Sequence, residues 1–564
     1  MTDLTTSSRV SGKNVDPEGI SGKSRRLARW FAARDSYDIA SFIAMASLVV
    51  IALATFDSYA ISNDEGLQHH YGELIIDYYK SGFIDRSLFK FDNLYLYGGL
   101  FDIALVLLGH VLPFDQYELR HLICALIGIG GIGAAAATAR MIAGTRAGFF
   151  SIIALALCGS WYGAMYNHTK GIPLAAFMAG ATYFLICAMR ELPKPSMRHV
   201  IGFGVMTGAA LGIKSLSLLL IGYFGLAILV SLPRPIAGHV SSRLQFLMTS
   251  ALWFLPGMVI AYLIMIVAWP WSAQSPLNPI RGLLDFGDFH YNIRTVLFGQ
   301  VYRMADVPRY YVPVYIVIRL PLLTLAAAVL GTALSAIKVF ARRAGLTPMQ
   351  RKEIGFVAFT AFFPVICVVI TQGPAFDGSR HFLFVFPAIA VLAGVGLSAI
   401  IGALADRHRN AAAGGLALIC ASYALTITKL IEMHPYEYLY YNQFVGGLEG
   451  ASRRFVTDYW VNIMPEAVDE LQDFLDRTEP KTAHTKPYSV AVCGERVSFE
   501  EYAPTHLHWT DNWRDADFYI APTHMNCDRS LDGKVIAMIQ RMGITIGVVK
   551  DRRAIQLPGQ PPSS

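Results

Sequence analysis

The stretch that decides the fold is SNDEGLQHHYGELIIDYYKSG, from Ser62 to Gly82. It directly follows a long apolar segment, and it opens with two adjacent carboxylates, Asp64 and Glu65. Apolar residues then recur at helical spacing: Leu67, Tyr71, Leu74, Ile75 and Tyr78. One face of the helix is therefore apolar, which suits a helix lying along a bilayer surface. The stretch predicts an acidic pair held at the mouth of a membrane protein.

Composition places the whole chain among polytopic membrane proteins. Of its 564 residues, 54% are hydrophobic and 16% are charged, and the mean hydropathy is +0.42. Soluble domains carry about a quarter charged residues, and the chain repeats apolar runs near the roughly 20 residues that span a bilayer. The net charge is +6, but the basic residues cluster in short loops between these runs. Orientation in the membrane accounts for that pattern better than nucleic-acid binding does.

About eleven apolar segments are predicted to cross the membrane as helices. They are Ile39 to Tyr59, Leu119 to Met141, Ala147 to Tyr166, Gly171 to Met189, His199 to Ile213, Ser217 to Leu232, Phe246 to Ala268, Val312 to Ile337, Ile354 to Ile370, Phe382 to Leu404 and Ala411 to Ile431. A twelfth candidate, Leu94 to Leu112, contains Gly98, Gly99 and Asp102, and we expect a re-entrant or interfacial helix there instead. An odd number of spans then puts every strongly basic short loop in the cytoplasm and Asp64 outside it.

Three regions follow from this topology. Residues 1–35 form a disordered basic cytoplasmic tail, residues 36–431 the transmembrane domain, and residues 432–564 a small extracytoplasmic α/β domain. In the last region, PEAVDELQDFLDR and LDGKVIAMIQRM are predicted as helices, and YSVAVCG and GITIGVVK as strands. Cys493 and Cys527 also lie there, so an extracytoplasmic location makes them a candidate disulfide.

The predicted outer loops hold most of the unusual polar residues. A carboxylate can take a proton from an incoming hydroxyl, and Arg, Lys and His can hold a phosphate while it gains charge as a leaving group. Such a rim suits group transfer from a lipid phosphate, although composition does not separate sugar transfer from other lipid-phosphate chemistry. The candidates are Asp64, Glu65 and His69 in the first loop, His168 and Lys170 in the second, Lys214 in the third, and Asp377, Arg380 and His381 in the fifth.

The order of several motifs resembles the GT-C membrane glycosyltransferases, in the branch of dolichyl-phosphate-mannose protein mannosyltransferases and lipid A aminoarabinose transferases. The motifs are NDEGLQHHYGELIIDYYKSGFID from Asn63, YLYGGLFDIALVLLGHVLPF from Tyr95, WPW from Trp269, DGSRHFLFVFP from Asp377, and YYNQFVGG followed by DYW between Tyr440 and Trp460. The resemblance implies a GT-C fold and an inverting transferase that uses a polyprenyl-phosphate sugar. It also implies that Asp64 is the general base, with Glu65 positioning the acceptor or the base.

The second loop departs from the pattern of that branch. Relatives often place an acid there, in a pattern like Asn-Pro-Lys-Asp-Ile-Pro, whereas this chain reads HTKGIP from His168 to Pro173. Because a carboxylate ligand is missing, a divalent cation is only weakly supported, and no metal ligand or other cofactor is assigned. The binding of the donor phosphate then falls to Lys170, Lys214, Arg380 and His381. The residues expected to contact the donor or acceptor sugar are His69, His168 and Asp377.

The leading hypothesis is a hexosyl or pentosyl transferase of a bacterial inner membrane. It would move a sugar from a polyprenyl phosphate to a hydroxyl of a lipid, glycan or protein on the periplasmic side. One alternative is a secondary transporter of an anionic solute, which should show an inverted repeat that this sequence lacks. Another is a catalytically silent GT-C scaffold, which the missing second-loop acid keeps open. For Asp64 and Glu65, the structural alternative is capping of a helix N-terminus.

Overall fold

A computed structural model of the protein describes residues 35–233, 240–287, 293–373 and 375–555. The predicted basic tail, apart from Asp35, lies outside the described residues. The described chain is mainly helical, with a small sheet near the C-terminus. The predicted class, a polytopic all-α protein with a C-terminal α/β region, is confirmed.

Six helices in the described residues are long and apolar enough to cross a membrane: Ser36–Ser58, Gln116–Ala143, Gly171–Met189, Pro348–Thr371, Arg380–Ala405 and Arg409–Met433. Three bent helix pairs would raise this number to 9: Thr145–Ala156 with Gly159–Asn167, Ser242–Trp253 with Leu255–Ala268, and Tyr311–Arg319 with Leu322–Ala336. The two remaining predicted segments form the shorter helices Met197–Leu211 and Leu219–Val230. Every predicted segment is thus helical, and the count of about eleven crossings stays a prediction.

The region from Val312 to Ile337 differs from the single straight span that hydropathy predicts. Its two helices meet at 115°. Pro321 follows Leu320, which takes an extended conformation with φ −89° and ψ 141°. A residue before proline is disfavoured in the α conformation, and proline lacks the N–H needed inside a helix. Hydropathy measures only apolar content, so it does not detect the break at Pro321.

Helix starts are set by side-chain caps where the sequence supplies them. Asp115 accepts a hydrogen bond from the Tyr117 N–H at 2.7 Å and so caps the Gln116–Ala143 helix. Thr347 and Gln350 form a reciprocal capping box at the start of Pro348–Thr371. Shorter helices and turns connect the spans: Glu65–Lys80, Ser87–Phe89, Leu94–Leu96, Leu100–Gly109, Ser215–Leu218, Pro270–Gln274, Asn278–Gly287, Lys338–Arg343, Glu437–Leu439, Gln443–Val445 and Gly447–Ala451.

The region from Leu94 to Leu112 contains one helix, Leu100–Gly109, of 10 residues. At 1.5 Å per residue it is about 15 Å long, half the roughly 30 Å hydrocarbon core of a bilayer. Its first residue donates a backbone hydrogen bond to Gly212 O at 2.9 Å. Tyr71 on the Glu65–Lys80 helix donates its hydroxyl to Tyr97 O at 3.0 Å. The region therefore packs between the Glu65–Lys80 helix and the end of the Met197–Leu211 helix, which supports the prediction that it does not cross.

The C-terminal region is built on a five-stranded sheet. Its strands are β3 (Tyr488–Val492), β4 (Leu507–Trp509), β5 (Phe518–Pro522), β6 (Lys534–Arg541) and β7 (Ile544–Asp551), after the hairpin of β1 (Arg294–Leu297) and β2 (Gln300–Arg303). The order is β4-β3-β5-β7-β6, with β3 parallel to β4 and β5, and β7 antiparallel to β5 and β6. Helices Met464–Thr478 and Arg496–Glu500 and the turn His524–Arg529 complete the region. Cys493, directly after β3, is joined to Cys527 by a disulfide.

The predicted helix LDGKVIAMIQRM is wrong, because Lys534–Arg541 is strand β6. Met542 and Gly543 both have positive φ, 51° and 75°, and they form a two-residue turn between β6 and β7. Such turns match the twist of paired strands. The apolar run is short enough to fit the period of a helix or that of a strand, so the turn after it was the signal that distinguishes the two.

Candidate active site

A cavity of about 150 Å³ lies beside the start of the Glu65–Lys80 helix. It collects six of the residues that the sequence proposed for the site: Asp64, His168, Lys170, Lys214, Arg380 and His381. They come from four separate loops or helix starts, so the fold alone brings them together. The cavity is rich in cationic and imidazole side chains and has one carboxylate.

Asp64 occupies the N-cap position of its helix, but its side chain makes no capping hydrogen bond. Its Oδ2 instead accepts a hydrogen bond from Arg380 Nη1 at 3.1 Å. The side chain is 39% exposed. Asp64 thus differs from Asp115, whose carboxylate caps its helix. The Asp64 side chain therefore does not cap the helix, which was the structural alternative for this residue.

Arg380 contacts both Asp64, which lines the cavity, and Asp377, which lies next to it. Besides Asp64, its Nε lies 3.3 Å from Asp377 Oδ2 and 3.2 Å from His381 Nε2. The rings of Phe376 and Tyr459 lie 5.1 and 5.6 Å from the guanidinium carbon. Burial raises the pKa of Asp377 to about 6, although the charge of Arg380 acts in the opposite direction. An anion entering the cavity would therefore meet a guanidinium already held in place by its neighbours.

Lys170 and Lys214 form the cationic side. Lys170 Nζ lies 4.6 Å from the centre of the Tyr97 ring, and Lys214 Nζ lies 5.4 Å from it. Lys170 Nζ is also 3.8 Å from Asp102 Oδ2. Burial lowers the pKa of both lysines, and burial together with the charge of Arg380 brings that of Lys214 to about 8. Two ammonium groups packed against one ring favour an anionic ligand, because an anion would offset their repulsion.

The second loop shows why this chain has glycine where relatives often have an acid. A Cβ added to Gly171 would lie 2.1 Å from two ring atoms of His168. His168 is buried and its Nε2 lies 3.3 Å from Arg380 O. Burial lowers the pKa of His168 to about 3, so its ring is neutral at physiological pH. The imidazole therefore occupies the space that an acid at position 171 would need.

These residues do not fit a divalent cation. The Asp64 carboxylate is engaged by Arg380 at 3.1 Å, and the neutral His168 ring covers Gly171. Among the described residues, no group of three or more His, Cys, Asp and Glu side chains is arranged to hold a metal ion. A cation at the rim would be held next to a guanidinium by a single carboxylate, which is a poor ligand set for Mg²⁺ or Ca²⁺.

Three of the proposed residues do not line the cavity: Asp377, which contacts Arg380, and also Glu65 and His69. Glu65 is fully buried, and its Oε2 accepts a hydrogen bond from the Ser62 N–H at 2.7 Å. His121 Nε2 lies 3.2 Å from the same carboxylate. His69 Nε2 lies 3.7 Å from Glu73 Oε1, on another side of the helix. Glu65 therefore holds the loop that carries Asp64, and its link to the cavity runs through the backbone.

Sequence reasoning missed a buried polar network beneath the cavity. Arg120 Nη2 donates to Asp102 Oδ1 at 2.8 Å and to Thr169 Oγ1 at 3.2 Å. Thr169 in turn donates to Gln68 Oε1 at 2.6 Å. The signal was present, because an arginine at the edge of a predicted span and an aspartate in an apolar segment are both costly without partners. Because Asp102 also faces Lys170, the network supports the second loop from below.

The C-terminal region contacts the first loop, which carries Asp64. The Glu495 N–H donates to Asn63 Oδ1 at 3.1 Å, and the Ile61 N–H donates to the Tyr502 hydroxyl at 3.0 Å. Partial burial raises the pKa of Glu495, and the charge of Asp64 raises it further. Two residues just before Asp64 in the chain are thus hydrogen-bonded to the C-terminal region.

Taken together, these features define an integral membrane protein with a cavity that is lined by cationic side chains and one accessible carboxylate. Residues 113–271 match the family model described as dolichyl-phosphate-mannose-protein mannosyltransferase. The matched part includes three of the candidate site residues that line the cavity, His168, Lys170 and Lys214. Over residues 113–271, the predicted resemblance to the dolichyl-phosphate-mannose protein mannosyltransferases is confirmed.

Solved structures of three proteins are similar to the chain at low identity. ArnT from Cupriavidus metallidurans, bound to undecaprenyl phosphate, is 15% identical, with 91% of this chain and 98% of that chain covered and a TM-score of 0.47. The oligosaccharyltransferase of Archaeoglobus fulgidus is 13% identical, with 84% and 65% covered and a TM-score of 0.43. The arabinofuranosyltransferase AftD from Mycobacteria is 12% identical, with 92% and 40% covered and a TM-score of 0.39. No curated protein sequence matches the chain.

Proposed function

We propose that the protein is an inverting glycosyltransferase that uses a polyprenyl-phosphate sugar. The observation that carries the proposal is the placement of Asp64, uncommitted to capping, at the rim of a cavity with Lys170, Lys214 and Arg380. The sugar would pass to a hydroxyl of a lipid, a glycan or a protein. We place the reaction on the periplasmic face of a bacterial inner membrane, since the basic loops favour that orientation.

The cationic side chains would bind the phosphate of the donor. Lys170 and Lys214 stand on one side of the cavity, and Arg380 stands on the other beside His381. A guanidinium can hold a phosphate through two hydrogen bonds, and an ammonium adds a compact positive charge. These groups would stabilise the transition state most as the bond between sugar and phosphate breaks, because the leaving phosphate then gains negative charge. The apolar chain of the donor would lie along the membrane helices.

Asp64 would act as the general base. The acceptor oxygen attacks the anomeric carbon of the sugar and forms the new glycosidic bond. The bond from that carbon to the phosphate oxygen breaks, and its electron pair leaves with the polyprenyl phosphate. The hydroxyl proton passes to Asp64 Oδ2, which the donor frees when its phosphate draws the Arg380 guanidinium away. Attack from the face opposite the leaving group inverts the anomeric centre.

His168 and Asp377 would position the donor, each through Arg380. His168 contacts the Arg380 carbonyl oxygen, and Asp377 contacts its Nε. His69 and Glu65 would act at a distance from the reacting atoms, since neither lines the cavity. Glu65 would fix the conformation of the loop through Ser62.

Comparison of cell envelopes with and without the gene tests the function. Mass spectrometry of lipids, polysaccharides and proteins should show one class that lacks a sugar when the gene is deleted, with recovery on complementation. An unchanged glycan profile in all three classes, under conditions in which the protein is produced, would overturn the proposal.

One observation favours a second candidate, a silent scaffold of the same fold. Gly171 stands where relatives often have an acid, and the His168 ring fills the space. A scaffold would bind a polyprenyl-phosphate sugar in a purified preparation without turning it over in the presence of envelope acceptors.

A further inference from the structure

A second cavity lies at the other end of the helix that carries Arg380. Its volume is about 530 Å³, and the final turns of Arg380–Ala405, from Ser398 onwards, form one wall. That helix has 26 residues, so it is about 39 Å long and exceeds the roughly 30 Å hydrocarbon core. The two cavities therefore open at opposite faces of the membrane, and the second one cannot belong to the site that contains Asp64.

Three arginines line this second cavity: Arg146, Arg342 and Arg343. Arg146 is held in place because its Nε donates to Ser398 Oγ at 3.1 Å. Asp406 also lines the cavity, but across the described parts of the chain none of the three arginines forms an ion pair with a carboxylate.

Two other arginines at this face are neutralised by carboxylates. Arg140 Nη2 lies 2.9 Å from Asp38 Oδ2, and Arg190 Nη2 donates to Glu353 Oε2 at 2.8 Å. The positive-inside rule explains why basic residues collect at one face of the membrane. It does not explain why three of them surround a cavity. Three guanidiniums thus converge on one open cavity, and the described residues give them no ion-pair partner. This convergence points to a ligand with negative charge.

Apart from Gln350, Ser398 and Asp406, the rest of the lining is apolar and includes Leu330, Leu334, Phe340, Leu346 and Val395. A small soluble anion would leave these side chains without contacts, whereas an amphiphile would use both parts of the cavity. We propose that the cavity binds an anionic phospholipid, with its phosphate on the arginines and an acyl chain along the apolar wall. In the orientation proposed above, this lipid belongs to the cytoplasmic leaflet. The proposal does not depend on the enzymatic function.

Native mass spectrometry of the full chain tests the proposal. The protein, purified in a neutral detergent, would be incubated with equal amounts of phosphatidylglycerol and phosphatidylcholine. We expect wild type to retain phosphatidylglycerol about a hundredfold better, because each of the three arginines near a lipid phosphate contributes roughly a fivefold preference. The double variant Arg342→Gln/Arg343→Gln should reduce the preference to about fivefold, since Arg146 remains.

Arg407→Gln/Arg409→Gln is the matched control, because it removes two exposed arginines at the same face that do not line the cavity. It should keep the wild-type preference. Ala399→Trp, on the cavity wall, should lower lipid retention with no change of charge. Equal retention of both lipids by wild type, or an undiminished preference in the Arg342/Arg343 variant, would overturn the proposal. Displacement of the lipid by millimolar glycerol phosphate would overturn it as well, since the cavity would then be a site for a soluble phosphate.

Discussion

Replacing Asp64 by asparagine removes the proposed general base while keeping the shape of the side chain. The amide oxygen can still accept from Arg380 Nη1, which lies 3.1 Å from the wild-type oxygen. No cap is lost, because the Asp64 side chain caps no N–H group. The ion pair is partly exposed, with Asp64 at 39%, so its loss should lower the free energy of unfolding by no more than about 1 kcal/mol.

The effect on turnover should be much larger than the effect on stability. A positioned general base contributes about 100-fold to 10,000-fold, which is about 2.7 to 5.4 kcal/mol of activation free energy. We therefore expect kcat of Asp64→Asn to fall at least about 100-fold. The donor should bind as tightly as before or more tightly, because a carboxylate that repels phosphate and competes for Arg380 is gone. Loss of turnover with undiminished donor affinity separates a catalytic role from a folding defect.

The assay would follow a radiolabelled sugar from undecaprenyl phosphate to the envelope fraction that loses its sugar on gene deletion. Thermal unfolding in detergent and equilibrium binding of the donor would be measured on the same preparations. Asp77→Asn is the control, since it removes an exposed carboxylate from the same helix. The reasoning is refuted if Asp64→Asn turns over within about threefold of wild type, or if Asp77→Asn loses as much activity as Asp64→Asn does.

Three further predictions concern the surroundings of Asp64. Because burial lowers the pKa of Lys214 to about 8, binding of a phosphodiester donor should weaken from about pH 7 to about pH 9 as the ammonium loses its proton. Lys214→Arg should remove this dependence in equilibrium binding, and a variant that keeps it would contradict the role of Lys214. Gly171→Ala should lower the melting temperature, because the new Cβ meets the His168 ring, and His168→Ala/Gly171→Ala should restore it; a single variant as stable as wild type would show that the ring is free to move. Asp102→Ala should cost about 3 to 5 kcal/mol of stability by leaving Arg120 buried without its partner, and a loss below about 1 kcal/mol in thermal unfolding would rule that out.

The membrane helices could be predicted because hydropathy sums a strong signal over about 20 residues. Each predicted segment is helical, and the errors lie where one residue changes the backbone. Pro321 splits one segment, and the turn at Met542 and Gly543 makes LDGKVIAMIQRM a strand. A reading that gave these residues more weight than apolar content would have found both.

The site was harder to predict because its contacts join distant parts of the chain. Asp64 and Arg380 are 316 positions apart, so no local pattern shows that they meet. Glu65 shows that closeness in sequence does not predict a shared role either. It is adjacent to Asp64, but neighbouring residues at the start of a helix point in different directions, and Glu65 turns inward to His121. Motif order could place both acids in the loop and could not separate their roles.

The bond between Asn63 and Glu495 has a consequence for biogenesis. Its partners are 432 positions apart, so the loop that carries Asp64 enters the membrane long before the segment that fastens it has been synthesised. Contacts of such long range form late in folding. Newly made protein would therefore hold this loop loosely until the last quarter of the chain has been synthesised and folded. Activity would then report that the whole polypeptide has been completed, and a truncated product would stay inactive in the membrane.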